Sequence, residues 1–303
     1  MNRLVRLRNE ARDLLELVLV PGLAALLPWK ACFILFRWLC RYDWLYRDSC
    51  REALAQASQR GWVRGDSAMW LRHRRLVTLV DHADYYLART RADRWMVHHL
   101  SVAGQWPDAS RSAILCTFHW GAGMWALRHA AASGLRASAL IAGHTREAFA
   151  GRAVRYHYYG ARIRAVAAAL GHEPIEVSRS PRQILQALRG GGQIIAAVDV
   201  PSDQVVASES IDFIGQRARV PRGLLRLAVE SGISVTVFPT GIRMTDGQRI
   251  LRIHRLGVRN DVEALMTEVF GYLERAIEED GAAWHFWEVA PRFFEPAAAS
   301  PAR

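Results

Sequence analysis

Apolar residues dominate the chain from Leu14 to Cys40, in LLELVLVPGLAALL and, after Pro28, in WKACFILFRWLC, but Glu16, Pro21, Pro28, Lys30 and Arg37 interrupt the run. A spanning helix needs about 20 consecutive apolar residues with few charges. The interrupted run therefore predicts helices lying in a membrane interface, with simple packing on the globular core and a single span as the alternatives. The flanks fit the interfacial reading. Arg3, Arg6, Arg8 and Arg12 precede the run, and Arg37, Arg41 and Arg47 follow, among Trp29, Trp38, Tyr42 and Trp44. Arginine, Trp and Tyr are the residue types that sit at headgroup level, and positive flanks place the bulk of a protein on the cytoplasmic side.

From about residue 49 to 95 the pattern turns helical, with apolar residues at i, i+3 and i+4 in MWLRHRRLVTLVDHADYYL and arginines on the other face. Short apolar runs follow: SAILCTF (112–118), RASALIA (136–142), GQIIAAVDV (192–200), SVTVFPT (234–240) and RILRIHRL (249–256). Each predicts a strand. Between them, WALRHAAAS, PRQILQALR, PRGLLRLAVES and NDVEALMTEVFGYLERAIEED carry the helical period, with stops at Gly134, Gly190 and Gly232. Alternating strands and helices give an α/β fold. The chain divides into apolar N-terminal helices (1–48), an α/β domain (49–295) and a frayed tail (296–303).

Net charge narrows the partners. Forty Lys+Arg against 29 Asp+Glu give +11, nearly all of it from arginine. That balance suits an anionic membrane, an acidic carrier protein or a phosphorylated substrate. Nucleic acid ranks third and is not expected as a partner, because the chain has no zinc-finger spacing, no RNP motif and no Lys/Arg block long enough for a tail. Cys32, Cys40, Cys50 and Cys116 form no CxxC pair and read as buried thiols. No cluster of ligand residues implies a metal or a diffusible cofactor.

The junction CTFHWGAGMWAL places His119 just past the end of a strand, before two glycines and a helix. Open α/β sheets bind ligands beyond the carboxyl ends of their strands, so His119 is the first candidate for chemistry. Gly121 and Gly123 also fit G-x-G-x-x-A, the dinucleotide fingerprint, but Ile141 to Gly143 lie where its acidic residue belongs. Cys116 is three residues from His119, and alternation along a strand turns the two side chains to opposite faces.

These segments in this order resemble the lipid A biosynthesis acyltransferases, the lauroyl and myristoyl transferases. VAGQWPDA (102–109) resembles a V-x-G stretch ahead of their catalytic strand, and FHWGAGMW resembles their H-x-G-N-W-E block. ILQALRGGGQIIAAVDVPSD is similar to their helix, glycine turn, strand and Asp, with Asp199 in the Asp position. In IDFIGQRARVPRGLLRLAVESGISVTVFP, Phe213, Gly215, Ala218, Gly223, Leu227 and Ala228 match their V-x-F-F-G-x-x-A block.

The resemblance implies a mixed sheet flanked by helices, as in glycerolipid acyltransferases, with a membrane-associated helical N-terminal region. It also implies transfer of a fatty acyl chain from acyl carrier protein to a hydroxyl of a lipid A precursor or related glycolipid, at the cytoplasmic face of the inner membrane. In that family a His serves as general base and an acid orients it in an H-x4-D/E pattern. Here Met124 stands in the acid's place. Asp199, at the end of a neighbouring strand, is the candidate substitute. Arg146, Arg152, Arg155, Arg162 and Arg164 form a basic stretch after the third strand, which suits phosphates of a glycolipid or of a phosphopantetheine arm, with Gly121 and Gly123 at the substrate. A non-catalytic paralogue that binds lipid or carrier protein, and a nucleotide-binding α/β enzyme, are the alternatives.

Overall fold

The computed structural model describes residues 3–177, 181–205 and 207–295, so the expected tail lies outside the described residues. Helix α1 (Arg3–Asp13) continues through a π-helical stretch (Leu14–Leu19) into α2 (Val20–Leu26), and α3 is Trp29–Leu39. Proline chemistry sets these breaks. Pro21 has no N–H for the Leu17 carbonyl, which instead accepts from the Tyr86 hydroxyl at 2.7 Å. Pro28 likewise leaves the Ala24 carbonyl without its helical donor, and Arg91 Nη2 donates to Ala24 O (3.2 Å) and Leu27 O (3.0 Å). Among the described residues no helix is long and apolar enough to cross a membrane.

Helices α4 (Arg47–Gln59), α5 (Ser67–Thr90) and α6 (Asp93–His99) form the expected scaffold. Asp66 caps α5 by accepting the Ala68 N–H. Then come β1 (Leu100–Ala103), β2 (Ala113–Thr117), α7 (Met124–Ala132), β3 (Ala137–Ile141), α8 (Ala153–Leu170), β4 (Ile175–Glu176), α9 (Pro181–Arg189) and β5 (Gln193–Ala197). The chain continues through β6 (Ser208–Phe213), β7 (Gln216–Pro221), α10 (Gly223–Glu230), β8 (Ser234–Val237), β9 (Thr240–Ile242), β10 (Arg249–Arg252), β11 (His254–Gly257) and α11 (Val262–Glu279).

The main sheet has the order β11-β8-β2-β5-β3-β4 and is parallel except for β11. A smaller sheet, β1-β10-β9, pairs β1 parallel to β10 and β10 antiparallel to β9, and β6–β7 is an antiparallel hairpin. The fold is thus α/β with mixed sheets flanked by helices. Ala113–Cys116 and Ile194–Ala197 form unbroken apolar runs because β2 and β5 are central strands covered on both faces.

Two expected strands are each split between sheets. SVTVFPT breaks at Pro239, whose missing N–H cannot extend a ladder, so β8 stays in the main sheet and β9 joins the small one. RILRIHRL divides at buried Ile253 in the same way. Gly134 and Gly232 follow α7 and α10 in the left-handed conformation, whereas after α9 that role falls to Gly191 and not Gly190.

The N-terminal helices share the core of the sheet. Val20, Ala24, Trp29, Cys32, Phe33, Phe36 and Cys40 are buried in one apolar cluster with β2, β5 and β8. A buried ion pair reinforces that junction: Arg249 of β10 binds Asp84 of α5 and stacks 3.9 Å above the Trp29 ring. All four cysteines are free and buried.

Candidate active site

Strands β2 and β5 run in parallel register, with Thr117 opposite Ala197. The Val198 N–H donates to Thr117 O at 3.0 Å, which carries the alignment one step past the strands. His119 and Asp199 follow, side by side at the carboxyl edge of the sheet. His119 Nδ1 lies 3.0 Å from Asp199 Oδ1, and the His119 backbone N–H donates to both carboxylate oxygens at 3.0 and 2.9 Å. Asp199 is fully buried, while the His119 side chain is 38% exposed. A carboxylate only accepts, so this contact fixes the proton of the neutral imidazole on Nδ1 and leaves a lone pair on Nε2.

Three consecutive residues near the C-terminus complete the arrangement. Trp284 Nε1–H donates to Asp199 Oδ2 at 2.9 Å. The His285 backbone N–H donates to His119 O at 2.7 Å, and His285 Nε2–H donates to Gly121 O at 2.7 Å. The Phe286 ring stacks on the imidazole of His119 at 4.1 Å and 25°. Buried Arg74 of α5 clamps this segment, donating to Trp284 O at 2.6 Å and His285 O at 3.0 Å. Burial, with the Arg74 charge close by, lowers the His285 pKa to about 4. That residue is therefore neutral at pH 7, with its proton on Nε2.

The imidazole opens into a cleft of about 980 Å³. Thr117, Ile195, Ala197, Ala139 and Ile141, which alternate onto one face of β2, β5 and β3, line it together with Leu127, Val166 and Phe238. These residues make an apolar slot beside His119. The other end is polar, with Arg12, Glu16, Asp48, Asp81, Arg152, Arg155, Tyr159 and Arg162. Buried His82 bridges this end, its Nδ1 2.8 Å from the Tyr158 hydroxyl and 3.2 Å from Arg162 Nη1. Burial and then the Arg162 charge push its pKa down to about 3.

The residues singled out in the sequence are placed as follows. His119 and Asp199 are in contact. Met124 is buried in an apolar cluster with Leu17, Tyr85, Tyr158 and Ala165, at the lining of the cleft. Gly121 and Gly123 line the cleft. Gly121 is required by a close approach: at φ +70°, a Cβ there would stand 2.0 Å from Thr240 O. Its N–H donates to Ala283 O and its carbonyl accepts from His285, so neither group faces a pyrophosphate.

Arg146 is exposed ahead of a short turn and does not line the cleft. Arg152 and Arg155 do line it, but both bind buried Asp13: Arg152 through Nε (2.7 Å) and Nη2 (2.5 Å), Arg155 through Nη2 (3.2 Å). Cys116 is buried and its thiol is raised to about 12 by burial, so it is no nucleophile.

Trp284, His285 and Phe286 were not legible as site residues. They lie far from His119 in sequence, and the only signal is the aromatic density of WHFW. Among the described residues no group of three His, Cys, Asp or Glu is arranged to hold a metal ion. No protein-family model and no curated protein matches the chain.

Proposed function

We propose that the protein transfers a fatty acyl chain from an acyl carrier protein to a hydroxyl of a membrane glycolipid, of the lipid A precursor type or related to it. The observation that carries this reading is the His119–Asp199 pair opening onto an apolar slot. The acceptor hydroxyl gives its proton to His119 Nε2 as its oxygen attacks the thioester carbonyl. Asp199 holds the ring in the right tautomer and balances the imidazolium charge. When the tetrahedral intermediate collapses, the C–S bond breaks, the ester remains on the acceptor, and the leaving thiolate takes the proton back from Nε2.

The charge of +11 favours an acidic carrier protein. Membrane docking is supported by the way α1 and the π-helical stretch after it are built, since their acidic side chains point inward and several of their leucines outward. Glu10 accepts the Ala153 and Val154 N–H groups at 2.6 and 2.9 Å, Asp13 binds Arg152, and Glu16 accepts the Tyr46 N–H at 2.7 Å. Leu4, Leu7, Leu19, Leu26, Ile34 and Trp38 are left exposed on this and the following helices. Apolar side chains next to Arg3, Arg6, Arg8, Arg37 and Arg41 suit the headgroup boundary of the cytoplasmic face of the inner membrane.

The test is incubation of the purified protein with radiolabelled acyl carrier protein and a panel of membrane lipids. Labelled lipid formed by the wild type and lost in His119→Ala supports the reading. Label in neither supports a binding-only paralogue.

A further inference from the structure

The arginines of the cleft are the obvious ligands for phosphate, yet four of them are paired with carboxylates and the fifth, Arg74, is held by backbone carbonyls. Five line the cleft. Arg152 and Arg155 share the fully buried Asp13, and Arg162 holds Asp81 at 2.7 and 3.1 Å. Arg12 lies between Glu16 and Asp48, and Arg74 spends its Nη groups on backbone carbonyls. Two more carboxylates, Glu52 and Glu288, stand on the lining, and among the described residues no arginine pairs with them. Five arginines thus face five lining carboxylates (Glu16, Asp48, Glu52, Asp81 and Glu288), with Asp13 behind them, and no positive surplus remains.

A phosphate dianion entering this cleft meets no net positive charge, and it would compete with the carboxylates Asp13, Glu16 and Asp81 for the guanidinium N–H groups. A hydroxylated group without net charge disturbs none of these pairs, and it finds donors and acceptors in Tyr159, Thr78, Ser49 and the paired side chains.

We infer that the acceptor bound here carries a headgroup without net charge, a polyol or a zwitterion, and not a phosphorylated sugar. The inference rests on the acyl-transfer reading and narrows its acceptor to related glycolipids without phosphate on the sugar. The pairing does not weaken attraction of an acidic carrier protein, since that acts through exposed arginines elsewhere on the surface.

The test is calorimetric binding of three twelve-carbon probes to the full-length protein below their critical micelle concentrations. These are dodecyl maltoside (neutral), dodecylphosphocholine (zwitterionic) and dodecyl phosphate (anionic). Only the component weakened by Ala197→Leu, which narrows the apolar slot, counts as cleft binding. The neutral and zwitterionic probes are expected to bind at least tenfold more tightly than dodecyl phosphate. Asp13→Asn, which releases Arg152 and Arg155, is expected to raise dodecyl phosphate affinity about tenfold. Glu288→Gln, at an exposed position that leaves the fold intact, is expected to raise it about twofold.

Tightest binding of dodecyl phosphate by the wild type, lost in Arg152→Ala, overturns the inference and leaves the acyl-transfer reading standing. Failure of all three probes to bind in an Ala197→Leu-sensitive way overturns the lipid cleft itself, and the inference with it.

Discussion

His119 and Asp199 each stand two residues past an aligned pair, Thr117 and Ala197, on adjacent parallel strands. The resemblance to lipid A acyltransferases expects the acid of His119 five positions along the same chain, where Met124 lies. Here the carboxylate arrives from the next strand. The main-chain register delivers it within 3.0 Å of Nδ1, and a backbone N–H and an indole N–H hold it there. An imidazole needs a partner at Nδ1 and has no requirement for where in the chain it originates.

The tautomer of His119 follows from this contact. In wild type at neutral pH, nitrogen-15 NMR of the ring is expected to show the proton on Nδ1. In Asp199→Asn the amide oxygen is needed by the His119 and Trp284 N–H donors, so the NH2 group faces Nδ1 and drives the ring proton to Nε2. A ring tautomer that does not change between the two proteins contradicts the pairing.

Restoring an acid at the family position is not expected to help. Met124→Glu would bury a carboxylate among Leu17, Tyr85, Tyr158 and Ala165, while Nδ1 is already taken by Asp199. Stability is expected to fall by about 2 kcal/mol or more, from burial of a charge among apolar side chains. Denaturant titration measures this, and acyl transfer is expected to show no gain.

Trp284→Phe keeps the ring packing and removes one N–H from Asp199. Loss of a hydrogen bond to a charged, buried acceptor costs about 1–3 kcal/mol. The expected result is a lower urea midpoint and a transfer rate down by about tenfold, with the acceptor KM unchanged.

Acid stability follows from the buried histidines. His82 and His285 have folded-state pKa values of about 3 and about 4, below the ordinary value of 6.5. Between pH 6.5 and about 4 the unfolded chain binds protons at these positions and the folded chain does not. Their contribution is therefore fully present above pH 6.5 and is lost as pH falls, by about 1.4 kcal/mol per pH unit for each histidine. His285→Gln, whose side-chain amide can still donate to Gly121 O, is expected to remove about one proton's worth of that slope. Urea titrations from pH 7 to 4.5 measure it.

Much of the architecture was legible because hydrophobic period reports burial: SAILCTF and GQIIAAVDV read as strands, and NDVEALMTEVFGYLERAIEED reads as a helix. The hairpin β6–β7 was not read as strands. Its buried Ile211, Phe213, Ala218 and Val220 alternate with charged residues, and its turn holds Ile214 at φ +45°, a conformation that propensity does not assign to isoleucine. His119 and Asp199 were legible from their positions after strands. The polar pairing of the cleft was not, because Asp13 and Arg152 are brought together only when α1 packs on α8. A sequence shows the basic stretch 146–164 and hides Asp13 and Asp81, which pair with Arg152, Arg155 and Arg162 of it.

The central claim is that His119, oriented by Asp199, takes a proton from a lipid hydroxyl during acyl transfer. Single-turnover transfer of radiolabelled acyl chain from acyl carrier protein to extracted membrane lipid tests it most directly. The wild type is expected to label a lipid, with His119→Ala and Asp199→Asn slower by about ten thousandfold. Equal rates in the wild type and in His119→Ala would contradict it.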